Sequence, residues 1–217
     1  MSEDDLGNNA LPMPLEQSSS LRLVATLGAA GALAGLLIVS VFSVTLRPIE
    51  AHKAEVLQRA VNEVLKDPAR YESFYATSLG VFESAPAGGA EKIYVGLDAD
   101  GRTTGVAIKA AAAGFQDVIS LIYGFDPATG QLLGMKVLEN RETPGLGDKI
   151  EKDPAFLAQF ERVAPPLVAV KRPTGAPGEI DAISGATISS RAVVRIINRS
   201  LAQLRAPIEA HFLETSP

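Results

Sequence analysis

The sequence contains no cysteine and only two histidines, His52 and His211. Without cysteine the chain cannot form a disulfide, a thiolate nucleophile, a covalent c-type haem or a cysteine-ligated iron–sulfur cluster. Both histidines lie in polar helical surroundings, which is typical of surface residues. A His-rich zinc or copper site is therefore disfavoured, and a Ser/His/Asp hydrolase would depend on one of these two side chains. We predict no metal site, and any redox role requires another kind of cofactor.

Basic residues are also in the minority. The chain has 20 Lys and Arg against 25 Asp and Glu, a formal net charge of −5. This balance offers no basic stripe that would neutralise a row of phosphates, so we expect no nucleic-acid partner.

Charge is absent from one long stretch near the N-terminus. Leu23 to Leu46 contains no charged residue and is bounded by Arg22 and Arg47. As a helix it would be about 36 Å long, enough to cross a hydrocarbon core of about 30 Å. The run is longer than the apolar region of a signal peptide, so we predict an uncleaved transmembrane anchor over residues 21–47.

The anchor divides the chain into four predicted parts. Residues 1–20 are polar and are expected to form a flexible tail. Residues 48–68 have a helical pattern that predicts a juxtamembrane helix ended by Pro68, and residues 69–217 form the globular part. Lys and Arg are more frequent after the anchor than before it, which by charge alone favours a cytoplasmic globular part.

Two stretches of the globular part share one pattern. Residues 93–108 and 121–137 each place a β-rich run before an Asp/Gly turn and a returning strand. Each is predicted to be a β-hairpin, and two hairpins form a sheet. Because turn chemistry alone favours Asp and Gly, chance similarity between the two stretches remains open.

The segments after the hairpins predict helices and a short strand. Asp153 and Pro154 are typical of an N-cap and a first helical residue, opening a helix through Phe160. Residues 167–170 are β-like, and a final helix follows Thr187. The apolar face of that helix comprises Val193, Val194, Ile196, Ile197, Leu201 and Leu204, with Arg191, Arg195 and Arg199 largely opposite. The predicted fold class is α+β: an antiparallel sheet of repeated hairpins with packed helices, preceded by one N-terminal transmembrane helix.

A first glycine motif, Glu-Thr-Pro-Gly-Leu-Gly, occupies residues 142–147. It lacks the Gly-Lys-Ser/Thr ending of a phosphate loop, and Ile150 stands where a dinucleotide fingerprint needs its third glycine. Proline fixes φ and the glycines permit close approach, so backbone amides here can face a flat ligand. Taken by itself, the motif is equally typical of a surface turn.

A second motif, Asp-Ala-Ile-Ser-Gly-Ala-Thr, occupies residues 181–187 and leads into the final helix. Ser184 is a candidate N-cap. Thr187 would lie in the first turn, where unpaired amides and the helix dipole favour a phosphate, including a phosphoester on its hydroxyl. On these residues alone, a capped helix start is the simpler interpretation.

The second motif resembles the flavinylation motif of FMN-binding domains, in which a flavin transferase moves FMN from FAD onto the threonine hydroxyl as a phosphoester. With the first motif, a single membrane helix and no cysteine, the chain is similar to the family of G subunits of Rnf electron transport complexes. The related C subunits of sodium-translocating NADH:quinone oxidoreductases share both motifs. Two departures are Asn140-Arg141, where the family has a His-Lys type pair, and residues 115–117, which replace a more glycine-rich segment.

The resemblance implies a set of residues that bind the cofactor. Thr187 would carry the FMN, with a transferase recognition sequence and phosphate turn formed by Asp181, Ser184, Gly185 and Ala186. The loop bordering the isoalloxazine ring would contribute Glu142, Thr143, Gly145, Leu146 and Gly147, of which Thr143, Gly145 and Leu146 would be closest. Lys171 matches a family lysine near the flavin.

The function implied is a covalent-FMN electron carrier in an ion-translocating ferredoxin:NAD oxidoreductase, a redox subunit rather than an enzyme by itself and without catalytic residues of its own. Its partners would be the other membrane and redox subunits and, during maturation, a flavin transferase. The resemblance places the protein in the bacterial inner membrane with a cytoplasmic tail and a periplasmic FMN domain, against the charge count. Alternatives are the quinone oxidoreductase C subunit, disfavoured by the compact sheet region, and a membrane-anchored binding module without cofactor.

Overall fold

The computed structural model describes residues 20–214, so residues 1–19 of the predicted tail lie outside the described part. Helix α1 (Ser20–Val64) is the one described helix that is long and apolar enough to cross a membrane, with a mean hydropathy of 2.2 in its apolar window. The chain divides at His52 into two compact units.

The bounds of helix α1 differ from the sequence prediction at two points, the division between the anchor and the juxtamembrane helix and the end of the juxtamembrane helix. It runs through Pro48 without a break, so the anchor and the juxtamembrane segment belong to one helix. It ends at Val64, before the expected stop at Pro68. Lys66 and Asp67 there adopt left-handed φ values of 59° and 55°, which end the helical path, and a residue preceding proline is itself disfavoured in the helical region.

A six-stranded antiparallel sheet forms the centre of the globular unit. Its strands are β1 (Arg70–Thr77), β2 (Gly80–Phe82), β3 (Glu91–Leu97), β4 (Thr103–Ala113), β5 (Val118–Asp126) and β6 (Gln131–Glu139), in the order β2-β1-β3-β4-β5-β6. The two predicted hairpins are β3–β4 and β5–β6, which confirms the expected antiparallel sheet.

In each of these hairpins, the carboxylate of an aspartate accepts hydrogen bonds from backbone amides of the turn. The Asp98 carboxylate accepts hydrogen bonds from the amides of Asp100 (2.9 Å) and Arg102 (2.8 Å). In the second turn, the Asp126 carboxylate accepts from the amide of Ala128 at 2.8 Å. These bonds to the backbone explain why both repeats place aspartate at the end of the first strand.

The remaining elements follow strand β6 in the chain. They are α2 (Lys149–Lys152), α3 (Pro154–Ala158), β7 (Val168–Val170), β8 (Glu179–Asp181) and α4 (Thr187–Glu214). Asp153 caps α3 as predicted, since its carboxylate accepts from the amides of Ala155 and Phe156, although the helix ends at Ala158 and not at Phe160. Strands β7 and β8 pair in parallel, in a separate two-stranded sheet.

Two apolar clusters hold the sheet between helices. Alternate residues of a strand face opposite sides of a sheet, and strand β5 is buried on both sides. Tyr123 and Phe125 belong to the cluster that includes the apolar face of α4, whereas Ile122 belongs to the cluster formed with the last turns of α1. This sandwich fixes the N-terminus of α4 beside the loop that follows β6.

Candidate functional site

The loop after β6 is organised by a buried carboxylate. Glu142 is 4% exposed, and its Oε1 accepts hydrogen bonds from the backbone amides of Phe115 (3.0 Å) and Gln116 (3.1 Å). Its Oε2 accepts from the hydroxyl of Ser189, in the first turn of α4, at 2.5 Å. One side chain thus joins the turn between β4 and β5, the first glycine motif and helix α4.

The same hydrogen bonds determine the charge state of Glu142. Burial by itself would raise the pKa of this carboxyl. The hydroxyl of Ser189 and the amides of residues 115–117 stabilise the charged form and outweigh burial, so the pKa lies below its ordinary value. Glu142 is therefore an anion at neutral pH, and its oxygens are used in holding the loops together.

Gly147 permits the close packing around this carboxylate. A Cβ on Gly147 would lie 2.7 Å from the Cβ of Glu142 and 3.0 Å from the Oγ of Ser189. No larger residue fits without moving α4 or the loop. Gly145 has the left-handed φ of 77° but open space around it, so its conformation serves the turn itself.

The second motif forms a tight turn and then opens helix α4. The amide of Ala186 donates to the carbonyl of Ile183 at 2.9 Å, and Gly185 has a φ of 84°, as a type II turn requires at its third position. A Cβ on Gly185 would lie 3.3 Å from the Cδ2 of Leu146, so the two motifs contact each other here.

The expectation that Ser184 caps α4 is wrong. The helix begins at Thr187, which puts Ala186 at the N-cap position and Ser184 two residues too early. Ser190 instead ties the preceding turn to the helix: its hydroxyl accepts from the amide of Ile183 at 3.2 Å and donates to the carbonyl of Ala186 at 3.0 Å.

A cavity of about 250 Å³ lies between the two motifs. Its lining comprises Phe115, Glu142, Thr143, Leu146, Gly147, Gly185, Ala186, Thr187, Ile188 and Ser189. Three apolar side chains at its border are unusually exposed: Phe115 (65%), Ile188 (54%) and Leu146 (47%). Thr187 is half-buried in this first cavity, and the exposed apolar border suits a flat ring system.

A second cavity, of about 680 Å³, receives three other residues that the sequence placed in the site. Lys171, Asp181 and Ser184 line it, together with Lys149 and Lys152 and the start of α3. The turn of residues 183–186 separates it from the first cavity. The structure thus brings Thr187 together with the first motif, but places Lys171 and Asp181 beyond the turn, and Gly145 lines neither cavity.

The sequence alone did not assign Phe115, Ile188 or Ser189 to the site. Phe115 lies in the segment that departs from the family pattern, and that departure is the signal in the sequence that marks it. Ile188 immediately follows Thr187, and its side chain is 54% exposed. Ser189 carries no signal in the sequence, because its role depends on Glu142, 47 residues earlier in the chain.

The chain is similar to a known protein family and to individual proteins of known sequence. A family model described as the FMN-binding domain matches residues 114–202. The G subunit of the ion-translocating oxidoreductase complex of Methanosarcina acetivorans is 29% identical over 180 residues, covering 83% of this chain and 92% of that protein. The protein of the same name from Escherichia coli K12 is 31% identical over 162 residues, covering 69% of this chain and 74% of that protein.

A solved structure shares the fold. The crystal structure of NqrC from Shewanella oneidensis superimposes with a TM-score of 0.65 at 18% sequence identity, covering 76% of this chain and 100% of that chain. At this identity the similarity establishes the fold.

Proposed function

The chain belongs to the family of G subunits of ion-translocating oxidoreductase complexes, and on that premise we propose that it is a membrane-anchored electron carrier with FMN bound covalently to Thr187. The family resemblance stated from the sequence is thereby confirmed. The relatives favour the G subunit over the C-subunit alternative, and the match to the FMN-binding domain supports FMN as the cofactor.

The observation that carries the attachment site is the position of Thr187. This residue opens helix α4 and lines the cavity that both glycine motifs form. The first amides of a helix have no acceptor within the helix, and the dipole favours an anion there, so a phosphoester on this hydroxyl is electrostatically stabilised. The two neighbouring hydroxyls are buried and already hydrogen-bonded, since Ser189 is 2% and Ser190 0% exposed.

The border of the first cavity fits the ring system of a flavin. Phe115, Leu146 and Ile188 offer apolar contact, and the backbone of the first motif offers hydrogen-bonding groups. Because binding pockets for drug-sized ligands have volumes of about 300–1,000 Å³, a cavity of about 250 Å³ encloses only part of FMN. When bound, FMN supplies the one- and two-electron chemistry, and the chain orients it and leaves an edge accessible to other redox centres.

Replacement of Thr187 tests this proposal directly. Thr187→Ala, co-expressed with a flavin transferase, is expected to fold but to carry no flavin that survives denaturation. Thr143→Ala is the matched control, because it removes another hydroxyl lining the same cavity and should keep the flavin. In-gel flavin fluorescence and the mass of the intact chain are the measurements. Flavin that persists through denaturation in Thr187→Ala would move the attachment elsewhere.

Maturation by a flavin transferase requires access to the recognition sequence. Asp181, Ser184 and Gly185 are exposed, so an enzyme can reach this turn in the folded chain. We expect Asp181→Asn to slow flavin attachment while leaving the fold intact. The measurement is the fraction of flavinylated chain against time after the transferase is induced, and an unchanged rate would remove Asp181 from the recognition sequence.

The proposal includes the orientation of the protein in the membrane: the globular unit lies on the periplasmic side of the inner membrane. A covalent bond is useful there because a dissociated cofactor would be lost by dilution. A phosphatase fused after Pro217 should therefore be active, since such reporters fold only after export. Full fluorescence of a green fluorescent protein fused at the same point would contradict this orientation and agree with the Lys/Arg count.

A further inference from the structure

Three arginines form a row along the exposed side of helix α4. Arg191, Arg195 and Arg199 are spaced four residues apart, so they are neighbours on one face of the helix, and all three are exposed. The row begins one helical turn after Thr187, which occupies the preceding position of the same spacing. The overall composition predicted no basic stripe, but the helical spacing already placed these arginines opposite the apolar face, and helix α4 aligns them in one row.

These arginines have no carboxylate partner among residues 20–214. The ion pairs of the described chain use other cations, and Arg195 instead donates to the backbone carbonyl of Ala113 at 2.6 Å. Three guanidinium groups without a carboxylate concentrate positive potential locally, although the chain as a whole carries a formal charge of −5. The row therefore complements an acidic surface.

The row borders a groove of about 550 Å³ with an apolar floor. Val168 of strand β7 is 53% exposed in this groove, beside the buried side chains of Leu167 and Val194. Apolar contact flanked by arginines is typical of a protein interface, where the planar guanidinium also binds carboxylates through two parallel hydrogen bonds. Three cations are few compared with the roughly 6–10 phosphate contacts of a typical DNA-binding protein, so the groove favours a protein over a nucleic acid.

We propose that the groove between α4 and β7, bordered by Arg191, Arg195 and Arg199, is a docking surface for an acidic, partly apolar patch on another protein subunit of the membrane complex. This proposal rests on the proposed function, because docking at this surface serves electron transfer only if the cofactor is attached at Thr187. A partner seated on the row lies within a few helical turns of the attachment residue, on the side of the helix that continues from it.

A charge-reversal experiment on the full-length, flavinylated chain tests the docking surface. The chain is placed in nanodiscs of phosphatidylcholine, a neutral lipid, and its affinity is measured for the rest of the complex purified from a strain lacking this subunit. The test variant is Arg191→Glu/Arg199→Glu, which leaves Arg195 and its bond to Ala113 intact. The control is Lys92→Glu/Arg162→Glu, which makes the same change of charge at two exposed cations outside the groove.

We expect the groove variant to bind about tenfold more weakly or worse at low salt, and the control to stay within about twofold of the unchanged chain. Added salt should weaken binding of the unchanged chain but not that of the groove variant, because screening removes attraction in the first and repulsion in the second. The neutral variant Arg191→Gln/Arg199→Gln should be intermediate, and near-UV circular dichroism verifies that each variant is folded.

Three results would overturn the proposal: an unchanged affinity in the groove variant, an equal loss in the control, or a loss that occurs only when phosphatidylglycerol is added to the nanodiscs. The last result would assign the row to an anionic lipid surface. Repeating the comparison in the Thr187→Ala background separates the two proposals. Groove-dependent binding without flavin supports the docking surface by itself, whereas the flavin measurement alone decides the attachment site.

Discussion

Glu142 provides the sharpest test of how the site is held together. Its carboxylate joins the amides of Phe115 and Gln116 to the hydroxyl of Ser189, and so connects three segments that are distant in sequence. Glu142→Ala leaves these three donors without their acceptor inside the fold. Since an unpaired buried group costs about 1–3 kcal/mol, and water entering the vacated space offsets part of the total, we expect the free energy of unfolding to fall by about 3–5 kcal/mol.

Glu139→Ala is the matched control. Glu139 ends strand β6 only three residues earlier, and its carboxylate pairs with Lys53 at 2.7 Å, but both side chains are about 60% exposed. Exposed ion pairs contribute about 0–1 kcal/mol, so this variant should be nearly as stable as the unchanged chain. Glu142→Gln keeps an oxygen acceptor but loses the charge, and should lie between the two.

Urea titration of the full chain in detergent, followed by the near-UV circular dichroism of its tyrosines, measures these differences. The pH dependence provides a second test. Because the pKa of Glu142 is lowered in the folded state, its contribution is complete above the unfolded-state value of about 4.3 and is lost as the pH falls through the lower folded-state value. Glu142→Gln should lack this part of the acid sensitivity. Equal stabilities of Glu142→Ala and Glu139→Ala would refute the conclusion that the Glu142 carboxylate holds these three segments together.

Two further changes test the surroundings of the site. The family resemblance places Lys171 near the flavin, whereas the structure places it in the second cavity. On the family expectation, Lys171→Ala should make the flavin harder to reduce by about 20–40 mV, the equivalent of about 1–2 kcal/mol for two electrons, while attachment continues. The neighbouring variant Arg172→Ala is the control, and an unchanged midpoint potential in a redox titration would remove Lys171 from the flavin surroundings. Gly114→Ala should destabilise the chain by about 1–3 kcal/mol in the same urea titration, because a Cβ there would lie 2.5 Å from the Oε1 of Glu142. A stable, fully flavinylated Gly114→Ala chain would contradict the tight packing around that carboxylate.

The sequence by itself predicted the elements whose signals are local. The two Asp/Gly turns indicated the hairpins, Asp153 indicated the start of α3, and the spacing of apolar residues indicated the buried face of α4. In each case the interacting groups lie within a few residues of one another, so a pattern in the sequence contains the whole interaction. The helix start near Thr187 was predicted in the same way, whereas Thr187 as the point of FMN attachment came from the family resemblance and stays a prediction.

Tertiary structure alone decided which of these parts meet. Glu142 reaches Ser189 and the amide of Phe115 only because the sheet and α4 bring three distant segments together, and no local pattern records such a contact. The same holds for the parallel pairing of β7 with β8 and for the separation of Lys171 from Thr187 by a turn. The arginines of α4 were visible as an exposed face, but whether a carboxylate elsewhere in the described chain would neutralise them depended on the packing of every neighbouring element.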